Sequence, residues 1–325
     1  MSLSLRERSI IPLHSLSPQP RFDPHHSLSS EWIAKKGMGV MLLVICSCLW
    51  SGCISTRNQS AALPAKYEIE SGNLIVRSDL KIQEDDPLLE ELKEIRDELI
   101  TTLELPPPRR PVVIHLFKDQ DRYANFMQAR HPNLPSRRAF FIGTATELGV
   151  YAHWSPNVNE DLRHEYTHGV LHSCLRTVPL WLDEGLAEYY ETARDVPGRL
   201  HREHTQNLAI AVKNGWRPDL ARLEKIEDVP KMSLADYREA WAWVHFLLND
   251  APGGRELLVN YCKTLRKSDR PPRISPEVAR MFPDSEVRLA SYISMSLTDY
   301  GRVTRAHSEE EEGRANVTRG NDSSR

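Results

Sequence analysis

The chain has 325 residues, of which 40% are hydrophobic and 27% are charged. This length and balance are typical of a globular protein with one large domain or two packed subdomains. The formal net charge of −3 offers no basic field to a polyanion, so we expect no nucleic-acid partner.

Residues 1–53 comprise an N-terminal extension followed by a secretion-type signal. A lysine pair at 35–36 precedes an apolar run over 39–50, which ends in Ser-Gly-Cys at 51–53. A basic pair, roughly a dozen apolar residues and a small-small-Cys ending are typical of a secretory signal rather than of a spanning helix. The ending resembles that of a bacterial lipoprotein signal, which implies lipidation of Cys53.

Two alternatives to lipidation at Cys53 stay open. Cys48 lies at a competing cleavage position, and the apolar run could instead persist as an uncleaved single-pass anchor. The sequence therefore predicts an extracytoplasmic protein that reaches the membrane through a lipid anchor or its signal segment. Outside the signal, Cys174 and Cys262 could form a disulfide or stay as separate buried thiols.

The elements of an α+β fold follow a predicted tether at residues 54–66. Residues 67–81 alternate in polarity around a Ser-Gly-Asn turn at 71–73, which predicts a hairpin or two short strands. Prolines at 106–108 end the helix that comes next. Its apolar side chains recur on one helical face; they are Leu88, Leu92, Ile95, Leu99 and Leu103.

Three further strands are predicted before the central helix of the chain. Residues 112–117 are almost continuously apolar, which indicates a central strand covered on both faces. A short helix over 119–130 separates it from two strands at 139–142 and 148–154. The last strand leads directly into a helix that we expect to extend from an asparagine cap to about residue 175.

That helix opens the stretch 164–188, which carries the chemistry. Residues 164–168 form an H-E-x-x-H pattern. Two histidines four residues apart share one face of a helix, so His164 and His168 can reach the same metal ion. Glu165 then points toward a water on that metal and can take its proton.

The residues that follow supply a candidate third ligand. A catalytic zinc needs three protein ligands and an open fourth position, and Glu184 is the natural third ligand once the chain turns back antiparallel. Glu188, one turn later, could accept the free N–H of a metal-bound imidazole, and Asp183 is a second candidate for that contact. His172 lies about 12 Å from His164 along the helix axis, so we expect a packed or surface histidine.

The H-E-x-x-H pattern at 164–168, followed by L-W-L-x-E-G-x-A-E at 180–188, resembles the peptidase MA-like group of gluzincin zinc metallopeptidases. The resemblance implies a thermolysin-like α+β fold. Its parts would be an α/β subdomain at 67–176, with a small mixed sheet and the metal-binding helix at its end, and an all-helical subdomain at 177–299. The order of these elements agrees with the family over residues 66–300.

The resemblance also implies the roles of four residues. One Zn²⁺ per chain would be held by His164, His168 and Glu184. Glu165 would be the general base in the hydrolysis of a peptide bond in a peptide or protein substrate. The alternative is a catalytically silent surface lipoprotein of the same fold that acts as a binding module, against which the intact Glu165 argues.

Two finer expectations follow from the family. In the family, the strand before the metal helix borders the cleft and pairs with an extended peptide, which would make residues 149–153 a substrate shelf. The alternative is a covered edge strand.

A later helix of the family carries a second donor to the oxyanion. Here a capping box opens a helix over 233–249, and Tyr237 and His245 share one of its faces; the alternative is that Tyr237 belongs to the core.

The rest of the chain is predicted to be helical. Helices are expected over 199–214, 254–266 and 275–297, the last with a break near Pro283, and no further strand signal occurs. From about residue 300 the sequence becomes polar and acidic, which predicts a disordered tail over 300–325.

Overall fold

The structure, a computed structural model, describes residues 8–10 and 62–297. The predicted signal, the predicted lipidation of Cys53 and the predicted disordered tail at 300–325 lie outside these residues, so they stay predictions. Within the described residues the fold is α+β, with a five-stranded mixed sheet extended by one short strand, and ten α-helices. Among these ten, none is both long and apolar enough to cross a bilayer.

The sheet joins a parallel centre to antiparallel margins. Strands β3, β4 and β6 pair in parallel, whereas β2 pairs with β3 and β5 pairs with β6 in the antiparallel sense. The order across the sheet is β1-β5-β6-β4-β3-β2. The strands are β1 (Arg8–Ile10), β2 (Tyr67–Ser71), β3 (Leu74–Ser78), β4 (Val112–Phe117), β5 (Ala139–Gly143) and β6 (Leu148–His153).

The helices lie between and after the strands. Two of them, α1 and α2, are inserted among the strands, and the others follow β6. The helices are α1 (Pro87–Leu103), α2 (Gln120–Arg130), α3 (Val158–Cys174), α4 (Leu180–Glu191), α5 (Arg202–Lys213), α6 (Leu220–Leu223), α7 (Leu234–Asn249), α8 (Gly254–Leu265), α9 (Ser275–Met281) and α10 (Ser285–Tyr292). Short 3₁₀ turns at Pro197–Arg199 and Val229–Lys231 precede α5 and α7, and a π turn at Ile293–Leu297 follows α10.

Local sequence signals account for the helix boundaries that were predicted best. The side chain of Asp86 accepts a hydrogen bond from the Leu88 N–H and begins α1, and all five members of the predicted apolar stripe are buried. Ser233 and Asp236 form the predicted capping box at the start of α7. In each case residues within one or two turns satisfy the free N–H groups of the helix end.

The position of β6 corrects one expectation. We expected residues 149–153 to be an edge strand, but β6 pairs with β4 on one side and with β5 on the other, and all six of its residues are buried. Both the substrate-shelf and the covered-edge interpretations were therefore wrong. The two strands of a hairpin are equally apolar here, so their sequence does not specify which one joins the parallel centre.

Two glycines allow the layers around α3 and α4 to pack closely. A Cβ at Gly169 on α3 would lie 2.6 Å from Cγ1 of Val112 on β4. A Cβ at Gly185 on α4 would lie 2.6 Å from the carbonyl oxygen of Ala240 on α7. Because both glycines lie one residue after a proposed ligand, these contacts set the depth at which the ligands sit.

Candidate metal centre

The three predicted ligands converge at the interface between α3 and α4. His164 and His168 are 2% and 0% exposed, and Glu184 is 0% exposed. The two Nε2 atoms of the histidines lie 3.3 Å apart. Oε2 of Glu184 lies 3.8 Å from Nε2 of His164 and 3.7 Å from Nε2 of His168. Three potential ligand atoms therefore surround one point.

These separations fit a metal ion better than a hydrogen-bonded cluster. Ligand atoms at about 2.0–2.2 Å from one tetrahedral metal lie roughly 3.3–3.6 Å apart, so small shifts would complete the geometry. Both carboxylate oxygens of Glu184 are buried without a hydrogen-bond partner among the described residues. A buried carboxylate without a partner is costly. The three residues form a group that could hold a metal ion.

Asp183 makes the predicted contact with the ring N–H of a proposed ligand, His168. Its Oδ1 accepts a hydrogen bond from Nδ1 of His168 at 2.9 Å, and its Oδ2 lies 2.7 Å from Nε2 of His172. Burial alone raises the pKa of Asp183, but the adjacent rings of His172 and His168 hold this pKa well below its ordinary value. The Nδ1–H contact leaves the lone pair of His168 on Nε2, which faces the cluster. His172 takes no place among the ligands.

The contact predicted for Glu188 belongs to Glu191. Oε2 of Glu191 accepts a hydrogen bond from Nδ1 of His164 at 2.8 Å, whereas Oε2 of Glu188 lies 2.8 Å from Nε2 of His204 on α5. The prediction for Glu188 was wrong because this glutamate pairs with His204 of α5 instead of with a proposed ligand. The spacing of Glu184, Glu188 and Glu191 at i, i+4 and i+7 on one helical face could have indicated both carboxylates.

Glu188, His201 and His204 also bring ligand-type atoms within 4.8 Å of one another. Hydrogen bonds connect the members of this second group to each other, while Nδ1 of His204 is buried without a partner among the described residues. Nδ1 of His201 accepts the backbone N–H of His204 at 3.2 Å, so its neutral ring carries the proton on Nε2, which lies 3.6 Å from Oε1 of Glu191. The group therefore extends the hydrogen-bond network behind His164.

Glu165 lies beside the proposed ligands, and one of its carboxylate oxygens makes no hydrogen bond to the described residues. It is 1% exposed, and its Oε2 has no hydrogen-bond partner among the described residues. Burial raises the pKa of Glu165 to about 7, against the lowering effect of His164 and His168. A carboxyl group with a pKa near neutrality both accepts and returns a proton efficiently.

The two candidate oxyanion donors on α7 have different surroundings. Tyr237 is 2% exposed, and burial, with Glu184 as the strongest nearby charge, raises its pKa well above the ordinary value. His245 instead has both ring nitrogens engaged: its Nε2 donates to the Gly198 carbonyl at 2.9 Å, and the Tyr292 hydroxyl lies 2.9 Å from its Nδ1. These two contacts occupy both ring nitrogens of His245, so neither is left to donate to an oxyanion.

One charged residue near the cluster was not predicted. Arg137, just before β5, has a buried Nη1 without a hydrogen-bond partner among the described residues. Burial lowers the pKa of this guanidinium, and Tyr237, Glu165 and Glu184 oppose the shift. No spacing rule indicates such a residue, since it comes from a loop that is far from the motif in sequence.

A cleft adjoins this arginine. Its volume is about 680 Å³, and its walls are α2, the segment 131–138 and the segment 153–157. A smaller pocket, lined by His164 and Glu165 among others, shares Arg137 and Arg138 with the cleft. Arg137 thus lies where the cleft meets the small pocket beside His164 and Glu165.

Comparison with family models gave no match, and comparison with curated proteins gave none. What the site can do chemically therefore follows from its own residues. Two imidazole nitrogens and one carboxylate oxygen form a three-ligand set of the kind that leaves a metal one open position. A buried carboxyl group that can act as a base lies next to it.

Proposed function

We propose that the protein is a zinc-dependent metallopeptidase with a gluzincin-like fold, in which His164, His168 and Glu184 hold the zinc. The observation that carries this proposal is the convergence of three ligand atoms at 3.3–3.8 Å beside the unpartnered Oε2 of Glu165. Two nitrogens and one oxygen suit Zn²⁺ among the common divalent ions. The chain order of sheet, metal helix, antiparallel glutamate helix and helical remainder supports the same architecture.

A bound Zn²⁺ would supply Lewis acidity, which lowers the pKa of a water molecule and polarises the scissile carbonyl group. Glu165 takes the proton from the attacking water on its free Oε2 and returns it to the leaving amine. Asp183 and Glu191 hold His168 and His164 in the tautomer that presents Nε2 to the ion. The side chains of Glu165, Asp183 and Glu191 are all buried, and burial limits the orientations that they can adopt.

Tyr237 is the residue we assign to the oxyanion. Glu184 is the strongest charge acting on the pKa of Tyr237, and Glu165 also acts on it, which supports a position near the third ligand and the base. Because its pKa stays far above neutrality, the hydroxyl keeps its proton and can donate it as a hydrogen bond to a developing negative charge. The cleft beside Arg137 is the place we assign to the substrate, since it shares Arg137 and Arg138 with the small pocket that His164 and Glu165 line.

Replacement of Glu165 by Gln tests the proposal. The amide keeps the shape of the side chain but cannot take a proton, so we expect the turnover number for peptide hydrolysis to fall by about 10²–10⁴-fold. Zinc content, measured by mass spectrometry of the metal, should equal that of the wild type. Cleavage is assayed with a peptide library and mass-spectrometric identification of the products.

Glu90→Gln is the matched control, because it makes the same chemical change in an exposed ion pair with Lys93 on α1. It should retain wild-type turnover. If Glu165→Gln stayed within tenfold of the wild type, the base assignment would be refuted. A wild-type protein that binds zinc but cleaves no peptide would instead favour the binding-module alternative.

A further inference from the structure

Two adjacent arginines before β5, Arg137 and Arg138, differ in their hydrogen bonding. Arg138 is fully engaged with the first turn of α3: its Nε donates to Oδ1 of Asp161 at 2.9 Å, and its Nη2 donates to Oε1 of Glu160 at 3.0 Å. Arg137 has no such pairing for its Nη1, which is buried without a hydrogen-bond partner among the described residues. One guanidinium therefore fixes the loop, and the other keeps a donor available.

The available guanidinium is at the meeting point of two spaces. The small pocket that contains Arg137 also contains His164 and Glu165, and the larger cleft of about 680 Å³ contains Arg137 as well. A ligand that enters through the cleft would contact Arg137 before, or at the same time as, it reaches His164 and Glu165. Side chains from α2 and β5 give that cleft an apolar wall, formed by Tyr123, Met127 and Phe140.

The chemistry of the guanidinium indicates what it binds. Arginine does not lose its charge in a protein, so its buried N–H group must be paired by an acceptor or leave an uncompensated donor. The planar fork of donors fits a carboxylate, which can accept two parallel hydrogen bonds. A peptide substrate has one carboxylate at a fixed distance from a backbone bond, namely its C-terminus.

We propose that Arg137 binds the C-terminal carboxylate of a peptide and that the adjoining cleft accepts the side chain of its last residue. This inference rests on the proposed peptidase function and makes the enzyme a carboxypeptidase. Tyr123, Met127 and Phe140 of the cleft would contact the apolar part of that side chain. The sequence motif assigns neither this subsite nor this specificity.

The dimensions of a peptide agree with that assignment. Three bonds connect the terminal carboxylate carbon to the carbonyl carbon of the last peptide bond, a separation below about 4 Å. A carboxylate held by Arg137 beside Glu165 therefore brings that last bond to the base. Water adds to the carbonyl carbon, the C–N bond breaks, and the proton held by Glu165 passes to the nitrogen, which releases one free amino acid and the shortened peptide.

The decisive experiment compares peptide pairs that differ only in a C-terminal acid or amide. With the zinc-loaded full chain, kcat/KM should be at least about 30-fold higher for the acid, as expected when one partner of a buried charge pair is removed. In Arg137→Met this preference should disappear through a loss on the acid alone. Arg130→Met, which removes an exposed guanidinium at the end of α2, should keep it.

A wild-type enzyme that hydrolyses acid and amide equally, or that cuts only internal bonds, would overturn the carboxylate site while leaving the peptidase intact. Should Arg137→Met fold poorly, Arg137→Lys keeps the charge without the fork and should retain only part of the preference. The wild-type comparison also decides the matter without any variant.

Calorimetric binding to Glu165→Gln separates this inference from the proposed function. The acid peptide should bind at least about 30-fold more tightly than the amide, and the additional change Arg137→Met should abolish the difference. If no peptide were hydrolysed by the wild type but this binding difference held, the peptidase proposal would fail and the carboxylate site would stand. Equal binding of the acid and the amide would refute the carboxylate site directly.

Discussion

Replacement of Gly185 by alanine should weaken both the fold and the metal centre. Gly185 directly follows the proposed ligand Glu184 on α4, at the point where that helix crosses α7. A Cβ at this position would lie 2.6 Å from the carbonyl oxygen of Ala240 and 2.8 Å from Cγ2 of Val244. The nearest obstacle is backbone, which cannot rotate away, so α4 and α7 must separate.

The size of the effect follows from two opposing contributions. Overpacking of a core costs about 1–3 kcal/mol, and a clash with backbone belongs toward the upper part of that range. Alanine in place of glycine returns about 1 kcal/mol of helix propensity. We therefore expect a net loss of about 1–2 kcal/mol in the free energy of unfolding. Displacement of Glu184 should also lower zinc affinity by roughly 10–100-fold, the usual consequence of disturbing the support of a ligand.

Urea unfolding in the presence of a chelator measures the first quantity, and competition with a chromophoric zinc chelator measures the second. Gly72→Ala is the matched control, since Gly72 has φ +63° and its Cβ would meet only Nη1 of Arg96 at 3.5 Å. Backbone strain there costs about 1–2 kcal/mol at a turn far from α4, so stability should fall while zinc affinity is kept. A Gly185→Ala protein of higher stability, or of unchanged zinc affinity, would refute the reasoning.

Two further predictions test the surroundings of the site. Asp183→Asn removes the charge that orients His168, so zinc affinity measured by chelator competition should fall by about 10–100-fold. His172→Gln is the control, because His172 contacts Oδ2 of Asp183 and not the oxygen that binds His168, and it should change zinc affinity far less. Equal losses in the two variants would contradict the role of Asp183. Cys174 and Cys262 are free and buried, and burial raises the pKa of their thiols to about 11 and about 12. Mass spectrometry after iodoacetamide treatment should therefore find both unmodified in folded protein and alkylated in urea, and rapid labelling of the folded chain would contradict their burial.

The parts of the site that the sequence predicts are those set by the geometry of a single element. A separation of four residues on one helix suffices to bring the Nε2 atoms of His164 and His168 to 3.3 Å. Glu165 follows from the same helix. Similarly, the apolar stripe of α1 and the capping box of α7 depend on neighbours within a few turns.

The wrong predictions all depend on the relative orientation of two helices or on the pairing of two strands. Glu188 and Glu191 both lie on the face of α4 that carries Glu184, and only the position of α5 determines which of them reaches α3. Tyr237 and His245 share a face of α7, but the ring of His245 pairs with the Gly198 carbonyl and the Tyr292 hydroxyl, and both of these partners come from other elements. The order of β5 and β6 has the same origin, since it depends on which strand pairs with β4. Sequence periodicity contains no information on such relative placements.

Burial of the cluster connects these local and non-local features. Glu165, Asp183 and Glu184 are each at most 1% exposed, and an ionised carboxylate costs several kcal/mol to bury without compensation. Asp183 is compensated by two imidazoles, but the oxygens of Glu184 have no hydrogen-bond partner among the described residues. A divalent cation that binds the folded chain alone would relieve this cost and stabilise the fold by mass action. The close contacts of Gly169 with β4 and of Gly185 with α7 would then serve stability and ion binding at once, because they set the positions of His168 and Glu184 in the buried cluster.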